Sequence, residues 1–274
     1  MKRLSILLLF ILYASSVCGQ DKDKNLTFTV NGVQFEMVFV DSGTFLMGCA
    51  SERKDCYTNE MPAHKVTLSN FYYIGKYEVT QKLWYAVMKI TIQQQHKLAG
   101  AASTFGEGDD LPMFYIDYTE CVVFCDRLNK LLSNQLPKGY KFRIPTDAQW
   151  EYAARGGKYS KGYTYSGSNN INEVAWYSEN SGEKTHEVST KAANELGIYD
   201  MSGNIGEWCR DGDYDYFTIS APATNPIYPS TDFVRVLRGG SFSHDKTSCR
   251  VYYRRSDRGI RYGNIGLRIC LSKY

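Results

Sequence analysis

The residues best suited to chemistry cluster late in the chain. Asp200 to Glu207 (DMSGNIGE) places two carboxylates and the amide of Asn204 within one short segment, separated by Gly203 and Gly206. Hard oxygen ligands on a backbone free to turn its carbonyls inward suit calcium. Asp and Gly also mark any tight turn, so the composition alone allows both readings. The histidines His64, His96, His186 and His244 show no H-x-x-x-H spacing. His64, in the strand entry Pro62-Ala63-His64, reads as structural. Beyond Cys18 stand Cys49, Cys56, Cys121, Cys125, Cys209, Cys249 and Cys270, an odd number, so at least one thiol has no partner within the chain. Ser241 follows Gly239-Gly240, where a serine is common in a turn.

The elements that hold these residues are few. Leu26 to Met47 alternates in strand fashion around Asn31-Gly32, a hairpin signal. A second extended pair is expected from Lys65 to Val79. Thr80 caps a short helix running to about Met88, and residues 90–111 read as an irregular linker with Gly100, Gly106 and Gly108. Cys121, Cys125, Leu128 and Leu132 repeat at helical spacing within Tyr118 to Leu132, which turns both cysteines to the core. Thr146 and Gln149 form a capping box for a helix Asp147 to Arg155, stopped by Gly156-Gly157. Beyond it Gly, Ser, Asn and Tyr dominate. So loop-rich a domain needs more than helix and sheet packing, and bound ions or disulfides are the usual means.

Lys2 and Arg3, the apolar run Leu4 to Tyr13 and the small residues Ser15 and Ser16 read as a secretory signal over residues 1–19, with cleavage after Gly19. Acylation at Cys18 is the lipoprotein alternative. Residues 20–35 then form a leader and first strand, and 36–274 one domain. An exported protein, periplasmic, surface-bound or secreted, permits disulfides. The formal charge of +3, of which the signal supplies two, argues against a nucleic-acid partner, and no further run is long enough to span a membrane.

Four segments in order carry a resemblance: Phe39-Val40-Asp41-Ser42-Gly43-Thr44-Phe45-Leu46-Met47-Gly48; Lys76-Tyr77-Glu78-Val79-Thr80-Gln81 with Trp84; Arg143 to Gly157; and Gly197 to Glu207-Trp208, continuing to Arg238-Gly239-Gly240-Ser241 and Gly266-Leu267-Arg268. Over about residues 36–272 the chain resembles the sulfatase-modifying-factor family, whose founding activity is formylglycine generation. The resemblance implies an α+β formylglycine-generating-enzyme fold, related to C-type lectins and poor in regular elements. It implies structural calcium at Asp200, Gly203, Ile205 and Glu207, the middle two through backbone oxygen. Gly206 departs from the family's usual tryptophan and is expected to leave a gap beside that site. It also implies a Cys125–Cys270 disulfide. Cys49–Cys56 then reads as a loop clip, Cys209–Cys249 as a third pair and Cys121 as a buried leftover.

Similar enzymes hold copper(I) between two cysteines, whose positions here are His244 and Cys249, with Ser241 at a further active-site position. One soft thiolate is therefore missing. Two functions follow. The favoured one is a non-catalytic module that binds a peptide, glycan or protein, using the Ser-, Arg-, Tyr- and Asp-rich stretch Phe242 to Tyr262. That stretch resembles the C-terminal segment of the variable ligand-binding proteins of diversity-generating retroelements. Its arginines, Arg250, Arg254, Arg255, Arg258 and Arg261, read otherwise as solvated or paired with carboxylates. The alternative is a copper oxidase acting on a sulfatase cysteine through Cys249, His244 and Ser241.

Overall fold

The computed structural model describes residues 24–50, 53, 55–219, 221–230 and 233–273. The expectations for residues 1–19, Cys18 included, lie outside these. In chain order the strands are β1 (Leu26–Val30), β2 (Val33–Val40), β3 (Gly43–Met47), β4 (His64–Leu68), β5 (Tyr72–Gly75), β6 (Lys141–Arg143), β7 (Gly206–Trp208), β8 (Ala223–Thr224), β9 (Arg235–Arg238), β10 (Arg255–Asp257), β11 (Ile265–Gly266) and β12 (Cys270–Ser272). The helices are α1 (Gln81–Met88), α2 (Ile92–Ala99), α3 (Tyr118–Leu131), α4 (Asp147–Ala154) and α5 (Ile171–Val174).

Asn31 and Gly32 both take positive φ (47° and 82°), the geometry a two-residue hairpin demands, and β1 pairs with β2 in the register Val30↔Val33. The first sheet runs β1-β2-β5-β12-β6, a second β10-β9-β7-β11 and a third β3-β4-β8. The expected pair within Lys65 to Val79 forms as two strands, β4 and β5, which belong to different sheets and do not pair with each other. Local alternation identifies strands but not their neighbours.

Residues 90–111 also contain a helix that composition hides. In α2, Thr91 accepts from Gln94 N–H while Gln94 reaches back to Thr91, so a full capping box starts a helix with few apolar residues. The helices α1, α3 and α4 lie where spacing places them. Trp84 of α1 stacks on Phe124 of α3 at 5.2 Å, sealing one half of the core against β1 and β2.

The other half of the core surrounds α4 and is held by charge. Arg238 is fully buried and donates to Asp147, to Glu151 (2.8 Å) and to Tyr216 (3.1 Å). Arg254 approaches the other Asp147 oxygen at 3.3 Å, where Tyr214 also donates (2.8 Å). Glu151 in turn accepts from the Gly48 amide and from Arg155, which tie β3 to α4. Arg250 pairs with buried Glu60 at 2.9 Å. These arginines bind the loops together. Among the described residues the sole disulfide is Cys49–Cys56, and no helix is long and apolar enough to cross a membrane.

Removing one partner of a buried ion pair leaves an uncompensated charge in low dielectric. Arg238→Ala removes the guanidinium shared by two buried carboxylates and is expected to lower unfolding stability by about 3–5 kcal/mol, read as a shifted urea midpoint. Arg238→Lys recovers little of it, because a single ammonium cannot reproduce the guanidinium fork to Asp147 and Glu151.

Candidate functional site

The residues expected to carry chemistry gather where the segment 200–207 meets the turn 239–249. Gly240, at φ +69°, crosses so close to this turn that a Cβ there would lie 2.6 Å from the Ser248 carbonyl and 2.9 Å from Cys249 Sγ. Only glycine lets the chain pass. Ser241 Oγ then sits 2.7 Å from His244 Nδ1, and Ser243 N–H donates to the same hydroxyl. Ser202 Oγ donates to the Cys249 carbonyl at 2.7 Å, linking the two segments.

Cys249 is fully buried beside Tyr177 and Ala175. Its thiol donates to the Asp245 carbonyl (3.6 Å) and faces the Ser241 and Gly203 amides. Burial, reinforced by the Asp245 charge, pushes its pKa up to about 12, so the thiol stays protonated. His244 is driven the other way, down to about 4, first by burial and then by Arg255. A single thiol and an imidazole engaged by Ser241 do not supply the two thiolates that the resemblance assigns to a copper(I) site.

The segment 200–207 is equally enclosed. Glu207 accepts two bonds from Arg268 Nε (2.9 and 3.0 Å) and one from Trp150 Nε1 (2.6 Å). Asp200 Oδ2 accepts from Ser189 N–H, while Oδ1 is buried without any hydrogen-bond partner. Glu78 receives the Asn204 amide and the Ile205 N–H at 2.7 and 3.1 Å. Three carboxylates thus share the single guanidinium of Arg268. Burial first, then their mutual repulsion, raises Glu78 well above its usual range, and burial lifts Asp200 to about 6. Asp200 Oδ1, without a hydrogen-bond partner, is the oxygen left open to a cation, whereas Glu207 is committed to Arg268 and Trp150. The gap expected beside Gly206 is absent: a Cβ there would meet the Asn264 and Gly240 carbonyls at 3.3 and 3.4 Å, because β7 runs between β9 and β11.

The disulfide expectations divide. Cys49–Cys56 closes its loop as expected, and Cys121 is a buried thiol. Cys125 and Cys270 are not joined, nor are Cys209 and Cys249: all four are buried free thiols. Cys209 packs among the residues around α4 while Cys249 packs beside Tyr177, so the third pair has its members in separate clusters. The stretch Phe242 to Tyr262 is not one exposed surface either. Arg250, Val251, Tyr252 and Arg254 turn inward as framework, while Asp245, Lys246, Arg258, Ile260 and Tyr262 face outward. Arg255 pairs with Asp257, and Arg261 with Asp117 and Glu120.

Sequence reasoning missed Glu78, Arg268 and the α4 acids as a charged framework. One sign was available: Asp147 and Glu151 stand four apart on a helix whose other residues are nearly all apolar, so both face an interior that must supply cations.

The profile described as the sulfatase-modifying factor enzyme 1-like domain matches residues 26–273. The chaperone protein LppX of Paenibacillus barcinonensis is 32% identical over 81% of this chain and 83% of its own length. The formylglycine-generating enzyme of Thermomonospora curvata is 29% identical over 56% of this chain, which spans about half (52%) of that enzyme. Among solved structures, Treponema denticola variable protein 1 superposes with a TM-score of 0.77 at 29% identity, over 90% of this chain and 98% of that one. The loop-rich α+β fold is therefore that of formylglycine-generating enzymes.

Two measurements follow from the enclosure of these groups. With the disulfide intact, the five free thiols among the described residues should resist alkylation in the native protein and react once guanidinium chloride unfolds it; rapid native labelling of Cys249 contradicts its burial. His244, held neutral in the fold and free to protonate near 6.5 when unfolded, contributes stability that is full above pH 6.5 and fades as pH falls toward 4. The stability gap between wild type and His244→Asn should narrow over that window and stay constant above it.

Proposed function

Because the chain belongs to the sulfatase-modifying factor family yet carries His244 at the first of the two positions where similar enzymes have copper cysteines, we propose that it is a non-catalytic module that binds a partner protein. The observation that carries this reading is at position 244: an imidazole hydrogen-bonded to Ser241 stands where the resemblance places one copper cysteine, which leaves buried Cys249 as the one thiol of the turn. The copper chemistry of similar enzymes uses a thiolate pair, and this turn holds a single cysteine.

The binding surface is the outward half of 243–262. Asp245, Lys246, Arg258, Ile260 and Tyr262 project from a turn whose inner side is locked by Arg250 and Arg254. A rigid support under exposed aromatic and charged side chains limits the ordering cost of association. The likeness to a chaperone and to a variable protein supports contact with other proteins. The protein acts outside the cytosol in this reading, where the Cys49–Cys56 bridge persists. A structural calcium belongs to it as the counter-charge for Asp200, with Gly203 and Ile205 supplying backbone oxygen and Glu207 remaining with Arg268.

The deciding assay presents the protein with copper(I), oxygen, a thiol reductant and a peptide containing Cys-x-Pro-x-Arg, with an active family enzyme run beside it. The peptide is expected to remain unmodified by mass spectrometry. Aldehyde formation that disappears in Cys249→Ser overturns the proposal and establishes an oxidase. For calcium, the melting temperature should rise on adding the ion to chelator-treated protein and stay fixed in Asp200→Asn; an unresponsive wild type removes the ion from the reading.

A further inference from the structure

A second concavity is lined by none of the residues of the turn 239–249. A cleft of about 650 Å³ opens between β2, the segment Tyr77–Thr80 leading into α1, and the loop 187–190. That volume suits a ligand of drug or short-peptide size.

Its distinctive wall is backbone. In an antiparallel pair, hydrogen-bonded and non-bonded positions alternate. Val30 and Val33 flank a two-residue turn, so Val33, Phe35 and Met37 bond to β1, and the polar backbone groups of Gln34 and Glu36 point to the other side. There β5 pairs with β2 only from Met37 onward. The Glu36 carbonyl accepts the Lys76 amide at 3.0 Å, after which the chain leaves for α1. Both polar backbone groups of Gln34, and the Glu36 N–H, therefore face the cleft with no partner among the described residues. An inner strand has lost its neighbour halfway along, and a cavity stands where that neighbour would run.

Charge selects the guest. Glu36 is paired with Lys76 and Lys82 with Asp109, but the exposed Asp110 and Glu187 at the rim have no ion pair among the described residues. A hydrogen bond from Val188 N–H to the Asp110 carbonyl (3.0 Å) fixes these two loops side by side. Val33, Val79 and Ile269 give the interior an apolar character. We propose that the cleft receives an extended basic segment of a partner protein as an added strand along Val33–Glu36. The guest backbone pairs with Gln34 and Glu36, its lysine or arginine side chains meet Asp110 and Glu187, and its intervening apolar side chains fill the interior.

The test is fluorescence anisotropy with labelled (Lys-Val)3 and (Glu-Val)3 peptides, alongside amide hydrogen exchange of residues 33–36. The basic peptide is expected to bind, more weakly as salt rises, and to slow exchange at Gln34 and Glu36; the acidic peptide binds at least tenfold more weakly. The double variant Asp110→Lys/Glu187→Lys changes only exposed side chains and should lose at least tenfold in affinity with its melting temperature unchanged. Gln34→Pro removes one N–H that the hairpin does not use and should weaken binding as well. Failure of the basic peptide to bind, equal binding of both peptides, indifference to the charge reversal, or binding without protection of Gln34 and Glu36 each overturns the proposal.

Discussion

The structure hangs on one buried guanidinium. Arg238, at the end of β9, faces Asp147 and Glu151 across α4 with no access to water, and its buried charge is tolerable there because both carboxylates are present. Helix α4 is thereby fixed to β9, Glu151 carries the attachment on to Gly48, and Asp147 extends it to Arg254 and Tyr214. A domain whose second half is mostly turns cannot rely on ladders of backbone bonds for its shape. Paired charges in low dielectric, with fixed donor geometry, supply a comparable constraint.

The turn 239–249 inherits its position from this network. Arg238 ends β9, Gly239 and Gly240 take left-handed conformations immediately after it, and Cys249 is drawn beneath the turn. The segment 200–207 is anchored separately by Arg268, which takes the Glu207 carboxylate and the carbonyls of Gly75 and Tyr199. The enclosure that makes the fold rigid also removes Cys249 from solvent and from easy ionisation. The outer half of the same polypeptide is left free for contact, since its inner half already satisfies the structural demands.

The parts legible beforehand were those set by neighbours in sequence. The Asn31-Gly32 hairpin, the stripe through Cys121, Cys125 and Leu128, and the Thr146 capping box all depend on residues a few positions apart. The assignment of β4 and β5 to different sheets, and the failure of Cys209 to reach Cys249, depend on chain paths that no local pattern encodes. Helix α2 escaped notice because its capping box precedes a run with little apolar periodicity. Arg250 and Arg254 look like surface residues in composition, and only their burial beside Glu60 and Asp147 shows them as framework.

By itself the sequence determined the family, the loop-rich α+β class and the presence of a histidine rather than a cysteine at position 244, because ordered motifs and residue identities need no coordinates. Tertiary structure alone decided what those residues can do. A thiol's reactivity follows from its burial and the charges around it, a carboxylate's ligand capacity from whether an arginine has already claimed it, and a strand's open edge from where its neighbour turns away. Each is a relation between residues far apart in the chain, fixed only when the fold closes.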